Sequence, residues 1–289
     1  MNPDFSALLR TPLTERLGCR YPIIQTAMGW VADANLVIAT TRAGGFGFLA
    51  GATIAADQLE AEIKRVIAAT GGSNFGLNFH MFQDNAAQCV DQAIQYRLRA
   101  VSYGRGPDKK TIARFKEAGV LCIPTVGAVK HAVKAVELGA DMITIQGGEG
   151  GGHTGGVPSS ILLPQVLDAV KVPVIAAGGY STGRGLAGAL AAGAAGIAMG
   201  TRFMMTTDSP TPPSHPGPLR EGGRPPEDPR HPGGGRHAPP HDRQPLHPPP
   251  GGRQPPRPPA HRPQERLAVE AADWHEPRPY GGCAAAGYS

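Results

Sequence analysis

The sequence lacks the features of membrane and disulfide-rich proteins. No stretch of about 18 apolar residues free of charge and repeated glycine occurs, and the nearest run, Leu186 to Met199, is too short to span a bilayer. The four cysteines lie far apart without a CxxC pair, and nothing in the first 30 residues resembles a signal peptide. These absences predict a protein of the reducing cytoplasm with no membrane partner.

A concentrated basic surface is also lacking. The formal net charge is +5, but up to Asp208 there are 18 basic against 15 acidic residues, and 10 against 8 follow. The charge is spread along the chain, so no nucleic-acid partner is expected. Asp33, Glu149 and Asp168 form no evident acid pair, and the histidines near the C-terminus lack metal-ligand spacing.

Eight short apolar runs alternate with segments of helical periodicity, and 289 residues suit one barrel-sized domain. Helices alternating with strands predict a parallel sheet. The predicted strands are Pro22 to Gln25, Phe46 to Leu49, Phe75 to Phe79, Arg99 to Tyr103, Leu121 to Val126, Met142 to Gln146, Val174 to Ala177 and Gly196 to Gly200. The clearest predicted helices are Asp57 to Ala68, Lys109 to Ala118, Val129 to Leu138 and Thr182 to Ala192.

Glycine follows several predicted helices directly before the next strand, at Gly44, Gly119, Gly139 and Gly193. Glycine at this place is typical of a left-handed residue that ends a helix. The nearly continuous apolar strands fit a sheet covered on both faces. A closed barrel and a doubly wound sheet both satisfy this pattern.

The positions of the glycine-rich loops favour the barrel. Ala177-Gly178-Gly179 follows the seventh strand, and Met199-Gly200-Thr201 follows the eighth. In a (β/α)₈ barrel these two loops form the usual phosphate site, where backbone N–H groups and a helix N-terminus bind the anion. A doubly wound nucleotide-binding fold would instead carry Gly-x-Gly-x-x-Gly after its first strand, where this chain has Gln25 to Trp30.

The amino-acid composition of the chain changes near Ser209. The stretch from Pro210 to Gln264 holds 20 of the 30 prolines and no Ile, Val, Phe, Met, Tyr, Trp or Cys. Such a composition cannot bury a core, so a domain at 1–208 and a disordered tail at 209–289 are predicted. Because lysine is also absent after Lys171, we hypothesise a frameshift near Pro213, with a genuine Pro-rich linker as the alternative.

The segment after the sixth strand, Gln146-Gly147-Gly148-Glu149-Gly150-Gly151-Gly152-His153-Thr154-Gly155, is the most informative. Its glycines let the backbone approach a planar ligand, and His153 can exchange protons near neutral pH. A solvated loop histidine would look the same. The segment resembles the Gly-x-Glu-Ala-Gly-Gly-His-x-Gly motif of the nitronate monooxygenase (2-nitropropane dioxygenase) family, with Gly150 in place of the usual alanine.

This resemblance covers about the first 208 residues and implies an FMN-dependent barrel enzyme in which His153 is the catalytic residue. The first-strand segment Gln25-Thr26-Ala27-Met28-Gly29-Trp30 is also similar to the family's, in which backbone lies against the flavin ring. Met28 taken alone would be core packing. The residues implied to bind the cofactor are Ala27, Met28, Gly29, Asn78, Lys130, Gln146, Gly151, Gly178, Gly179, Ala198, Met199, Gly200 and Thr201.

The resemblance implies oxidation of alkyl nitronates with oxygen to a carbonyl compound and nitrite. An alternative is a flavin reductase that takes electrons from NADH and acts on an enoyl or CoA thioester. The sequences around Met28 and His153 also resemble those of such enzymes. A third alternative is an inactive truncated or frameshifted product, since the family normally continues beyond Ser209 with a covering helix and a C-terminal region. A small-molecule substrate is the partner expected.

Overall fold

The chain is described by a computed structural model over residues 6–104, 106–151 and 155–211. Eight strands follow one another: β1 (Ile23–Gln25), β2 (Phe46–Leu49), β3 (Gly76–Phe79), β4 (Ala100–Tyr103), β5 (Leu121–Val126), β6 (Ile143–Gln146), β7 (Val174–Ala177) and β8 (Gly196–Met199). The α-helices are α1 (Pro12–Leu17), α2 (Ala34–Arg42), α3 (Ala56–Thr70), α4 (Ala86–Gln95), α5 (Lys109–Glu117), α6 (Val129–Leu138), α7 (Ser159–Ala169), α8 (Gly183–Ala191) and α9 (Thr201–Met204). Two 3-10 helices, Ser6–Leu9 and Gly51–Thr53, complete the described elements.

The strands form one closed parallel barrel in sequence order, and β8 returns to pair with β1. The predicted (β/α)₈ barrel is therefore confirmed, and the doubly wound alternative is excluded. Every predicted strand is present within one residue of its predicted ends. The late start of β1 follows from Pro22, which has no N–H to donate, and β8 ends at Met199 because the backbone of Gly200 turns into α9.

Side chains of alternate residues fill the barrel or pack outside it. The interior cluster contains Phe46, Phe48, Ile123 and Ile175, whereas their strand neighbours pack against the surrounding helices. Helix α1 closes the N-terminal end of the barrel with two side chains of the same interior cluster, Leu13 and Leu17, both fully buried. The barrel interior is therefore a packed core, and the carboxyl ends of the strands form the mouth at which such barrels carry their sites.

The predicted helix-ending glycines are confirmed. Gly44, Gly119, Gly139 and Gly193 have φ values of 91°, 75°, 111° and 99°. Each lies where a helix turns back toward the next strand, so the left-handed conformation there reverses the chain at the N-terminal end of the barrel.

The region after β8 is short within the described residues. It comprises α9, which has four residues, and seven residues beyond it, to Thr211. Phe203 and Leu9 pack against the outer cluster that includes Ile197. The predicted tail at 209–289 lies outside the described residues from residue 212 onward, and so does Pro213, where the frameshift is hypothesised. The domain boundary therefore stays a prediction. No helix of the described residues is long and apolar enough to cross a membrane.

Gly76 tests how tightly the interior is packed, because a Cβ at this position would overlap the ring of Phe48. We expect Gly76→Ala to lower the free energy of unfolding by about 1–3 kcal/mol. Gly188→Ala is the control, since a Cβ on this exposed helical residue would meet nothing within 4 Å and should stabilise α8 by about 0.5–1 kcal/mol. Urea denaturation measures both, and a Gly76→Ala protein as stable as the wild type would contradict the packing described.

Candidate functional site

Amide side chains face the open end of the barrel. Asn78 and Gln146 each lie next to outward-facing residues of the outer clusters, so the alternation of the strands turns both inward. The Asn78 Nδ2 group donates to the Ser102 carbonyl oxygen at 3.1 Å and lies 3.3 Å from the Ser102 hydroxyl. Gln146 Nε2 donates to Gly151 O at 2.7 Å. The two amides predicted to share the mouth do share it.

The first-strand segment meets the end of β8. Thr26 N–H donates to Met199 O at 3.1 Å. The Met28 sulfur lies 3.5 Å from the place where a Cβ on Gly200 would stand, and Ala27 packs against the interior cluster. Of the predicted cofactor residues, Ala27, Met28 and Gly200 are therefore brought together at one side of the mouth.

The side chains of the other predicted residues in β8 and the loop after it do not all point toward the mouth. Ala198 belongs to the interior cluster, whereas the Met199 side chain packs in the outer cluster, so only the Met199 backbone faces the mouth. Thr201 is exposed at the start of α9. Gly29 is exposed, and a Cβ there would lie 3.1 Å from Cγ2 of Thr53.

The loop after β7 begins with two glycines in the left-handed region. Gly178 and Gly179 adopt φ values of 95° and 79°, which favour glycine. Helix α8 then begins behind Thr182, whose hydroxyl accepts from Gly185 N–H at 3.2 Å. Consecutive left-handed glycines beside a helix N-terminus direct backbone N–H groups and a positive dipole end toward the mouth.

Glu149 joins this loop to the one after β6. Its carboxylate accepts from Ser159 N–H at 2.9 Å, and the Ser159 hydroxyl lies 2.9 Å from both Glu149 Oε2 and Gly178 O. The sequence left open whether Glu149 contacts a ligand or the barrel wall, and the structure places it on the first residue of α7. Ser159 was missed by the sequence analysis, although its place directly after Pro158 marks a helix start.

The same contacts set the charge of the site. The Ser159 backbone N–H is the main cause that holds the pKa of Glu149 below its ordinary value. The pKa of Tyr180 is raised, first by burial and then by the charge of Glu149. Glu149 is thus a fixed anion that braces two loops, and it is not poised to carry a proton near neutral pH.

His153, the predicted catalytic residue, lies with Gly152 and Thr154 outside the described residues. The residues on either side are described and held. Gly148 N–H donates to Val157 O at 2.9 Å, and a Cβ on Gly127 would lie only 2.8 Å from Gly155 N. The loop after β5 and the loop after β6 thus approach each other closely through glycine backbone, which no other residue type would allow.

Two further side chains lie near the mouth. The predicted Lys130 is exposed in the first turn of α6. His80, which the sequence analysis missed, directly follows β3, and its Nδ1 lies 3.3 Å from Gly104 O. Its position in the sequence, two residues after Asn78 and directly after the predicted third strand, could have identified it as a residue of the mouth.

Other features of the described residues give no alternative functional site. A cavity of about 540 Å³ lies at the opposite end, between the first 3-10 helix and the starts of β7 and β8. No group of three or more His, Cys, Asp and Glu side chains among the described residues is arranged to hold a metal ion. Burial raises the pKa of the Cys19 thiol to about 11 and those of Cys89 and Cys122 to about 12, so none of these three is a thiolate at neutral pH.

The hydrogen bonds of Glu149 to Ser159 predict how the stability of the protein depends on pH. Because the pKa of Glu149 is lowered in the folded protein, its contribution to stability is present above its unfolded pKa and is lost as the pH falls through the folded pKa. Glu149→Gln should therefore be less stable than the wild type near neutral pH, and the difference should shrink as the pH falls below the ordinary pKa of a glutamate. Unfolding curves from about pH 7 to about pH 3 measure this, and a constant difference would contradict the brace.

Comparison with known proteins gives consistent results. A sequence model of the nitronate monooxygenase family matches residues 10–94 and 84–222. A Mycobacterium tuberculosis relative named (3aS,4S,5R,7aS)-5-hydroxy-7a-methyl-1-oxo-octahydro-1H-indene-4-carboxyl-CoA dehydrogenase is 53% identical over 207 residues, which are 71% of this chain and 58% of that protein. The chain thus spans less than two thirds of that relative.

Two solved structures are similar in fold and sequence. FabK from Thermotoga maritima is 35% identical with a TM-score of 0.68, and the match covers 71% of this chain and 65% of FabK. A nitroalkane oxidase from Streptomyces ansochromogenes is 33% identical with a TM-score of 0.66, covering 70% and 71%. Since the family match extends over most of the barrel and well over half of the sequence, the chain belongs to the nitronate monooxygenase family.

Proposed function

We propose that the chain is an FMN-dependent oxidoreductase whose cofactor lies across the mouth of the barrel. The observation that carries the proposal is the convergence of three features at that mouth. These are the left-handed pair Gly178 and Gly179 beside α8, the close approach of Met28 to Gly200, and the inward-facing amides of Asn78 and Gln146.

The residues present fit the groups of FMN. The backbone of Gly178, Gly179, Gly200 and Thr201 would bind the phosphate beside the N-terminus of α8. A side chain at Gly178 would displace the loop after β6 from this turn, because its Cβ would lie 3.0 Å from Ser159 Oγ and 3.1 Å from Gly147 N. Backbone at Ala27, Met28, Gly29 and Gly151 would lie along the flavin ring, with Ala198 and the Met199 backbone beneath the mouth. Asn78, Gln146 and Lys130 would supply side-chain hydrogen bonds.

FMN supplies the transfer of electrons, and the protein orients the substrate and handles protons. In the proposal His153 exchanges the substrate proton as general acid or base. The described contacts support this role indirectly, because Gln146, Gly127 and Val157 hold the residues on both sides of the segment that contains His153. Glu149 holds the same loop against the phosphate turn.

A thioester of coenzyme A is the substrate class that we propose. A relative at 53% identity is named as a dehydrogenase of a carboxyl-CoA compound, whereas a nitroalkane oxidase matches at 33%. The higher identity, over 207 matched residues, favours the thioester. Oxidation of alkyl nitronates is the second candidate, which the family match and the nitroalkane oxidase favour. NADH as electron donor belongs to the first candidate alone.

An anaerobic experiment separates the two candidates. With the full-length chain supplied with FMN, NADH should bleach the absorbance near roughly 450 nm, and crotonyl-CoA should restore it. His153→Ala should keep the bound flavin and lose at least about 100-fold in turnover, because general acid or base catalysis typically contributes that much.

Two other results would contradict the proposed substrate class or the proposed role of His153. An absorbance that NADH leaves unchanged, together with oxygen uptake when ethyl nitronate is added, would contradict the thioester proposal and support nitronate oxidation. A His153→Ala protein with full turnover on either substrate would contradict the assignment of the proton-transfer role.

A further inference from the structure

Large apolar side chains are exposed to solvent at one side of the mouth. Trp30 is 82% exposed and Phe82 is 70% exposed, and Met81 beside them is 39% exposed. They lie on the loops that follow β1 and β3, and the segments 26–32 and 81–83 contain no charged side chain. An exposed apolar surface at the opening of a ligand site is typical of a place where an apolar ligand is recognised.

Trp30 is held in an unfavourable backbone conformation. Its φ is 59°, in the left-handed region that bulky residues rarely adopt. Its N–H donates to Thr53 Oγ1 at 3.1 Å, and the next two N–H groups, of Val31 and Ala32, donate to Met28 O at 3.0 and 2.8 Å. A bulky side chain in this conformation, two residues after Met28 and exposed to solvent, buries little surface in the fold, and backbone strain of this kind is common at binding sites.

Phe82 is also fixed in place. Its ring stacks on the ring of His80, with centroids 5.3 Å apart and planes 11° from parallel. His80 in turn lies 3.3 Å from Gly104 O through Nδ1. The exposed ring is therefore braced from below, so little side-chain entropy remains to be lost when a ligand contacts it.

The loops that carry the two aromatic residues are both hydrogen-bonded to the segment 51–54. Trp30 bonds to Thr53 in the 3-10 helix Gly51–Thr53, and Asn85 Nδ2 donates to Gly51 O at 2.8 Å and to Ile54 O at 3.0 Å. The loops after β1 and β3 thus meet over the loop after β2. Trp30 and Phe82 therefore lie on loops that are joined at one side of the mouth, and Trp30 follows the segment that would lie against the flavin.

We propose that Trp30, Met81 and Phe82 form an apolar subsite that binds the hydrocarbon part of the acyl group of a coenzyme A thioester. The inference rests on the proposed function and extends it, because it assigns the residues that choose among acyl groups. A rigid apolar subsite without charge selects for a bulky or long hydrocarbon and contributes nothing to a short acyl group.

Binding of a saturated series to the full-length chain tests the subsite. Calorimetric titration with acetyl-, butanoyl- and octanoyl-CoA should show affinity that rises with acyl length. Trp30→Gly and Phe82→Ala should each weaken octanoyl-CoA by about tenfold or more, as expected for losing a buried aromatic contact, and should leave acetyl-CoA unchanged. Trp30→Gly should also have a higher melting temperature than Trp30→Ala, since glycine tolerates the left-handed φ.

Two controls belong to the same series. Leu8→Ala removes a side chain that is 69% exposed at the opposite end of the barrel, and it should not change any of the affinities. Quenching of tryptophan fluorescence by octanoyl-CoA should persist in Trp274→Phe and disappear in Trp30→Gly, because these are the only two tryptophans.

Three results would overturn the subsite. Equal affinities for all three thioesters would refute it and leave the proposed function intact. A complete lack of binding along the series would refute the thioester class and the subsite with it. A wild-type dimer that Trp30→Gly dissociates, with thioester affinities unaltered, would assign the surface to a second copy of the chain.

Discussion

Closure of the barrel by the pairing of β8 with β1 is the constraint on which the rest of the site depends. The backbone pairs Ile23 with Ile197 and Gln25 with Met199, so residues nearly 175 positions apart in the chain end at the same level. Without that pairing the segment around Met28 would have no reason to meet Gly200. The proposed flavin platform is thus a product of barrel closure rather than of any local motif, and it is sensitive to whatever weakens the eighth strand.

A second layer of organisation joins neighbouring loops across the mouth. Glu149 and Ser159 connect the loops after β6 and β7, and Thr53 and Asn85 connect those after β1, β2 and β3. These braces are hydrogen bonds between loops that are far apart in sequence. They make the mouth stiff at low cost, since each side chain satisfies backbone groups that would otherwise need water.

The sequence predicted the barrel well because the strands are buried on both faces and because glycine ends several helices directly before the next strand. It also predicted that Asn78 and Gln146 would share one end, since parallel strands place their carboxyl ends together. It could not predict Ser159, His80 or the exposed state of Trp30. Those depend on contacts between separate loops and on a backbone angle, neither of which leaves a periodic signal. The role of His153 still rests on its resemblance to the family motif.

Titration with FMN tests the central claim, that the carboxyl ends of the strands hold the cofactor, most directly. The wild-type chain should bind one FMN per chain, and Gly178→Ala should bind it much more weakly. Gly193→Ala introduces the same left-handed strain, with φ of 99° against 95°, but lies at the other end of the barrel, so it should bind FMN as the wild type does. Equal loss of FMN affinity in both variants, or none in Gly178→Ala, would contradict the placement of the phosphate at the mouth.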